Sequence, residues 1–135
     1  MLVVDDEPAI RALVAKIVER SGHDVDTAAD GQEAIGLLNE HDYAVIVLDL
    51  MMPHIDGYEL IEHIKSTKGQ RPAIIVVSAG ESAQLRKLDG SVVHSVVRKP
   101  FDIEVLGDLI GAAARSSAEH GALPDVLPFR RDNAC

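Results

Sequence analysis

The feature that most constrains the fold is a short apolar run, Ala44 to Leu48, that ends directly in Asp49. The run is apolar at every position, which is typical of a strand covered on both faces rather than of a half-exposed strand. Pro53 prevents the strand from continuing inside a sheet, and Gly57 supplies backbone freedom for a turn. The pattern predicts that the chain carries one aspartate to the end of a buried strand and then turns away.

Hydrophobic periodicity predicts four further strands and five helices. Short apolar or alternating runs indicate strands, and apolar residues at helical spacing indicate helices between them. The connections are too long for hairpins, so we expect an α/β fold in which βα units form a five-stranded parallel sheet wrapped by helices. The approximate strands are 1–4, 25–29, 44–48, 73–77 and 91–97, and the approximate helices are 8–20, 31–40, 57–65, 81–88 and 103–115.

Length and charge restrict the class of protein. The 135 residues fit one domain, predicted over 1–115, followed by a C-terminal tail or linker stub over 116–135. No segment approaches the ~20 apolar residues of a membrane helix, and the single cysteine, Cys135, favours a cytoplasmic, reducing location. Lys and Arg number 13 against 22 Asp and Glu, a net charge of −9. We therefore expect no membrane partner and no direct nucleic-acid binding by this domain.

Polar residues follow the predicted strands at their carboxyl ends. Asp5 and Asp6 follow the first strand, Asp49 the third and Ser78 the fourth, and Lys99 lies just beyond the fifth. Each alone has an ordinary explanation as a helix cap, a turn residue or surface charge. The carboxyl ends of parallel strands share one edge of the sheet, where ligands bind in open α/β folds. We therefore expect these side chains to converge on one site.

Electrostatics indicate what such a cluster binds. Like charges ~4 Å apart repel by about 4 kcal/mol at an effective dielectric constant of 20, so three carboxylates together need a cation. Mg²⁺ meets that need, since it is bound by one or two carboxylates together with water and phosphate oxygens. One ionised aspartate can then attack a phosphoryl group. Lys99 offers positive charge and Ser78 a hydroxyl to the phosphoryl oxygens.

Five segments resemble the receiver domain of bacterial response regulators, the CheY-like domain of two-component signalling. The resemblance covers residues 1 to about 115, with the motifs in the family's order. It implies a flavodoxin-like (βα)5 fold with sheet order 2-1-3-4-5 and helices on both faces. The segments are Val3-Val4-Asp5-Asp6-Glu7-Pro8, Thr27-Ala-Ala-Asp-Gly-Gln-Glu-Ala34, Val47-Leu48-Asp49-Leu50-Met51-Met52-Pro53 with Asp56-Gly57, Ser78-Ala79, and Lys99-Pro100-Phe101.

The resemblance also implies a phosphoacceptor and a metal site. Asp49 would accept a phosphoryl group from the phosphohistidine of a histidine kinase or a histidine phosphotransfer protein. Asp6 and Asp49 would bind Mg²⁺ with the backbone carbonyl of Met51, and Asp5 would act mainly through water.

The same resemblance implies a conformational switch. Lys99 and Ser78 would hold the phosphoryl oxygens and be drawn inward, because phosphorylation adds about one negative charge. The helix over 81–88 has few apolar anchors and would change shape with the fifth strand and the last helix. That face would engage a downstream protein or output domain, and the expected state is a monomer or a phosphorylation-dependent dimer.

Two positions depart from the family pattern. Val96 stands three residues before the lysine, where family members usually carry an aromatic side chain whose rotation reports the switch. The loop over 89–94 lacks the usual Gly-Ala step before the strand. An alternative therefore stays open: a non-catalytic adaptor with the receiver fold that binds partners without turning over phosphate.

Other classes fit the sequence less well. A haloacid-dehalogenase-type phosphatase needs a second aspartate two residues after the first, and that position is Met51. No glycine-rich nucleotide-binding motif occurs. The histidines lack zinc-ligand spacing, and His54, beside the acids, is most simply a solvated loop residue. Arg11, like Lys16, is expected on the solvated face of the first helix.

Overall fold

The computed structural model describes residues 1–52, 56–67, 71–79 and 92–121, with side chains described as far as Ser116. Within these residues five strands and four helices form. The predicted helix over 81–88 and His54 lie outside the described residues. In chain order the elements are β1 (Leu2–Val4), α1 (Pro8–Arg20), β2 (Asp26–Ala28), α2 (Gly31–Glu40), β3 (Val45–Asp49), α3 (Gly57–Ser66), β4 (Ala73–Ser78), β5 (Val93–Arg98) and α4 (Ile103–Gly121).

The five strands pair in one parallel sheet in the order β2-β1-β3-β4-β5, which confirms the predicted topology. β1 lies between β2 and β3, with Val3 opposite Thr27 on one side and Val47 on the other. The β3–β4 pairing continues to the end of β3, where Asp49 lies opposite Val77. Because all strands run in the same direction, their carboxyl ends lie along one edge of the sheet.

The sheet is covered on both faces, as wholly apolar strands predict. In β3, Ile46 and Leu48 pack in the layer formed with α2 and α3. Val45 and Val47 pack in the opposite layer, formed with α1 and α4. Burying a side chain of this size contributes roughly 1.5–3 kcal/mol, so the alternation ties β3 to helices of both layers.

Three of the four helices within the described residues follow an aspartate that caps the first turn. Asp30, Asp56 and Asp102 each accept a hydrogen bond from a backbone N–H of the helix they precede. Such a cap satisfies a donor that has no partner inside the helix. α1 differs, because Glu7 precedes Pro8 and its side chain makes no capping hydrogen bond.

Several elements extend beyond their predicted ends, most of them by one residue. β3 includes Asp49, so the carboxylate belongs to the last residue of the strand rather than to the loop. α4 continues past Arg115 to Gly121, because residues such as Ala118 and Glu119 favour helix, although no apolar stripe in the sequence marks this last stretch. The domain boundary near residue 115 stays a prediction. No helix in the described part of the chain has the length and apolar character needed to cross a lipid bilayer.

Candidate functional site

The carboxyl edge of the sheet carries the polar residues that follow the strands. β1 leads into Asp5 and Asp6, β3 ends at Asp49, and β4 ends at Ser78. Lys99 follows β5, and its backbone N–H donates to the carbonyl of Ser78 at 3.0 Å. The residues predicted for one site therefore start from neighbouring strand ends.

Three aspartates form a cluster at this edge. One carboxylate oxygen from each of Asp5, Asp6 and Asp49 lies within 4.8 Å of the others. Asp5 and Asp49 are buried, whereas Asp6 is exposed. Oxygen donors at this separation fit a hard cation such as Mg²⁺, and the exposed side leaves the cluster open to water. The cluster is thus able to hold a metal ion.

Lys99 neutralises part of this negative charge. Its Nζ lies 3.3 Å from Oδ2 of Asp5, 3.4 Å from Oδ2 of Asp49 and 3.3 Å from Oε1 of Glu7. Burial alone would lower the pKa of the ammonium group, but the nearby Asp49 and Asp5 carboxylates outweigh it and raise the pKa of Lys99. The lysine therefore stays charged and binds the cluster from the β5 side.

The carboxyl group of Asp49 is held in an unfavourable environment for its charge. Burial raises its pKa above the ordinary value, and the neighbouring Asp5 adds to the shift. The backbone N–H of Met51 and the ammonium of Lys99 act in the opposite direction. Carboxyl groups perturbed in this way concentrate at functional sites.

Backbone N–H groups orient the two buried carboxylates. The N–H of Glu7 donates to Oδ1 of Asp5 at 2.9 Å. The N–H of Met51 donates to Oδ1 of Asp49 at 3.1 Å. In each aspartate, Oδ1 thus accepts a hydrogen bond from the backbone N–H two residues later, and Oδ2 faces Lys99.

Two residues of this site were not predicted from the sequence. Arg11 was expected on the solvated face of α1, and that prediction is wrong. Its side chain is half-buried, and Nη1 donates to the backbone carbonyl of Asp5 at 2.9 Å. Glu7 belongs to the Asp5-Asp6-Glu7-Pro8 motif with no role of its own predicted, yet it contacts Lys99. Helical spacing places Arg11 one turn from the strand end, which is the only signal that pointed to it.

Ser78 and Met51 occupy the positions expected of them in the fold, but their proposed roles stay predictions. Ser78 is fully buried at the end of β4. Met51 follows β3 with its side chain half-exposed, and its N–H is used by Asp49.

Gly57 allows the chain after β3 to pass close to the strand end. A Cβ atom at this position would lie 2.5 Å from Cα of Leu50 and 2.9 Å from the carbonyl oxygen of Asp49. The Gly57 N–H donates to the Leu50 carbonyl at 3.0 Å. The glycine therefore supports the segment that presents Asp49, through close approach of backbone to backbone.

Val96 lies in β5 opposite Val76 and is 42% exposed. The residues that precede Val92 in the loop before β5 lie outside the described part of the chain. The position where the family usually carries an aromatic side chain is therefore a partly exposed valine on the surface of β5.

Comparisons with known proteins agree with this geometry. The family model described as "Response regulator receiver domain" matches residues 1–111. The transcriptional regulatory protein TcrA of Mycobacterium tuberculosis is 34% identical over 125 residues, which are 92% of this chain and 47% of TcrA. The chain thus spans about half the length of this curated relative.

Solved structures share both the fold and part of the sequence. A response regulator receiver domain from Francisella superimposes with a TM-score of 0.76 at 32% identity, covering 86% of this chain and 96% of that one. The response regulator TrrA of Thermotoga maritima, solved in complex with Mg²⁺ and BeF, gives a TM-score of 0.73 at 32% identity, covering 83% and 96%. With its sheet order, its acidic cluster and these matches, the chain belongs to the family of response regulator receiver domains.

Proposed function

We propose that this domain is a phosphoacceptor in which Asp49 takes a phosphoryl group from the phosphohistidine of a histidine kinase or a histidine phosphotransfer protein. The observation that carries the proposal is the position of the Asp49 carboxylate. It is buried at the end of β3, within 4.8 Å of carboxylate oxygens of Asp5 and Asp6, and 3.4 Å from Nζ of Lys99. These surroundings combine a nucleophile, anionic metal ligands and a cation for phosphoryl oxygens.

The transfer exchanges one bond to phosphorus for another. A carboxylate oxygen of Asp49 donates an electron pair to phosphorus as the P–N bond to the donor imidazole breaks. The imidazole nitrogen keeps the bonding pair and takes up a proton, and an acyl phosphate forms on Asp49. The signal ends by hydrolysis: water attacks phosphorus, the P–O bond to Asp49 breaks, and inorganic phosphate leaves.

The acidic cluster supports a requirement for Mg²⁺. When bound, the ion would offset the repulsion between the carboxylates and the phosphoryl oxygens. Asp6 and Asp49 would hold it together with the backbone carbonyl of Met51, and Asp5 would contribute mainly through water. The exposure of Asp6 leaves that side of the cluster accessible to water and to the phosphodonor.

Lys99 and Ser78 would respond to the new group. The ammonium of Lys99 already lies beside Asp49 and would pair with a phosphoryl oxygen, while the Ser78 hydroxyl would donate to another. Phosphorylation adds about one negative charge at neutral pH, so both side chains would be attracted more strongly than by the free carboxylate. This attraction would pull the ends of β4 and β5 towards Asp49.

The signal would leave through the face formed by the helix predicted over 81–88, β5 and α4. Its recipient would be a downstream protein or an output domain, since the chain spans about half the length of TcrA. The domain itself would act as a monomer or as a phosphorylation-dependent dimer, and its net charge of −9 disfavours direct contact with nucleic acid.

Mass spectrometry after incubation with Mg²⁺ and acetyl phosphate tests the proposal. We expect the mass to rise by one phosphoryl group in the wild type and to stay unchanged in Asp49→Asn. A wild type that gains no mass would instead support an adaptor that binds partners without phosphate turnover. The exposed, aliphatic Val96 is the observation that favours this second function.

A further inference from the structure

We infer that Glu7 is a positioning residue for Lys99, which gives the ammonium group a carboxylate partner outside the acidic cluster. With that partner, Lys99 keeps one charge pair when a divalent cation binds Asp49 directly and attracts Asp5 through water. The inference rests on the proposed Mg²⁺-dependent function. Within that function it identifies Glu7 as the residue that positions Lys99.

The first observation is that Glu7 does not serve the helix it precedes. Asp30, Asp56 and Asp102 occupy the same position before their helices and direct their carboxylates to backbone N–H groups. The Glu7 side chain makes no such bond to α1. It contacts Nζ of Lys99 at 3.3 Å instead, across 92 residues of chain.

The second observation is how the partners of Lys99 are distributed between the protein interior and solvent. The side chains of Asp5 and Asp49 are 5% and 4% exposed, whereas that of Glu7 is 62% exposed. The ammonium group therefore has two buried carboxylates on the cluster side and one carboxylate on the solvent side. Glu7 is also fixed beside the cluster, because its backbone N–H donates to Oδ1 of Asp5.

A divalent cation held by Asp6 and Asp49, with Asp5 contributing through water, would repel the ammonium of Lys99, which lies against Asp5 and Asp49. Glu7 is outside the group of carboxylates that converge on the metal position. It is thus the contact of Lys99 that survives when the other two are drawn to the cation. Without it, Lys99 would compete with the cation for the buried carboxylates, and cation binding would weaken.

Mg²⁺ titrations of the whole chain, followed by NMR amide shifts without a phosphodonor, test the inference. We expect Glu7→Gln to weaken Mg²⁺ binding about threefold, as for the loss of one largely exposed charge contact. In a Lys99→Met background the same substitution should change the affinity by less than about 1.5-fold, since the residue through which Glu7 acts is gone. An equal loss in both backgrounds would mean that Glu7 attracts the cation directly, and would overturn the inference.

Glu7→Asp provides a test that does not depend on Lys99→Met. It keeps the charge but withdraws the carboxylate by one methylene group, so we expect it to bind Mg²⁺ as weakly as Glu7→Gln. Wild-type affinity in Glu7→Asp would overturn the role of the contact. Glu59→Gln, an equal charge loss in the first turn of α3 at the same sheet edge, is the control and should leave the affinity within about 1.5-fold.

The two proposals fail in different ways. If the wild type binds Mg²⁺ and Glu7→Gln binds it equally well, only the positioning role of Glu7 is wrong. If the wild type shows no Mg²⁺-dependent shifts, the proposed function and the inference fall together.

Discussion

The Nζ atom of Lys99 lies 3.4 Å from Oδ2 of Asp49, across 50 residues of chain. Asp49 ends β3 and Lys99 follows β5, with β4 between them in the sheet, so the lysine side chain spans one strand to reach the aspartate. Asp5, which follows β1, meets the same ammonium group at 3.3 Å. The buried carboxylates of Asp5 and Asp49 are therefore balanced by a residue that follows the outermost strand, β5.

Asp49→Asn should stabilise the protein when no divalent cation is present. The substitution replaces a buried carboxylate, crowded by Asp5, with a neutral side chain of nearly the same shape. We expect the free energy of unfolding at pH 7 to rise by about 1 kcal/mol, measured by urea denaturation. Asp108→Asn, which removes a charge from an exposed position on α4, is the control and should change it by less than about 0.5 kcal/mol.

The gain in Asp49→Asn should also depend on pH. Burial raises the pKa of Asp49, so the native state keeps a proton that the unfolded chain has already released. Wild-type stability therefore falls as pH rises from about 4 through the raised native pKa, whereas Asn does not titrate. The advantage of the variant should be small at pH 4 and larger at pH 7, and a constant advantage would contradict this explanation.

In the absence of divalent cations, Lys99→Met should destabilise the protein by about 2 kcal/mol, because Asp5 and Asp49 stay buried but lose the ammonium group that pairs with them. Methionine keeps most of the length and apolar surface of the lysine stem. Urea denaturation of the single and double variants with Asp49→Asn should give a coupling energy of about 1 kcal/mol. Additive effects would show that the 3.4 Å contact does not contribute to stability.

Mg²⁺ should stabilise the native state, because the carboxylate cluster is assembled only in the folded chain. At a free concentration 100 times the dissociation constant, binding adds about 2.7 kcal/mol to the free energy of unfolding. Asp6→Asn should abolish most of this gain while changing stability little without metal, since Asp6 is exposed. Thermal unfolding at matched ionic strength checks this, and equal stabilisation of Asp6→Asn and wild type would count against the metal site.

Gly57→Ala should lower the free energy of unfolding by about 1–3 kcal/mol, since its Cβ would collide with the backbone of Leu50 and Asp49. Gly36→Ala is the matched control, because Gly36 lies exposed within α2 with nothing within 4 Å of a new Cβ. It should raise the free energy by about 0.5–1 kcal/mol through helix propensity. Changes of the same sign in both variants, by urea denaturation, would refute the close-approach argument.

The sequence by itself determined the order of elements, the burial of the strands and the residues at their ends. Wholly apolar runs such as Ala44 to Leu48 leave no face for solvent, so they require helices on both sides of the sheet. Once the sheet is parallel, Asp49, Ser78 and Lys99 must lie along one edge. The caps that Asp30 and Asp102 form are also local, because each is a contact within one helical turn.

Only the tertiary structure decided which charges meet. The spacing on α1 placed Arg11 in solvent, but the packing of α1 beside β1 brings its guanidinium group to the carbonyl of Asp5. Glu7 stands in the sequence only as part of the Asp5-Asp6-Glu7-Pro8 motif, yet its side chain pairs with Lys99. Periodicity reports which face of an element is apolar, and this decides burial. Coulomb energy and hydrogen bonding depend on distances between atoms, which exist only after strands from both ends of the chain have been packed side by side.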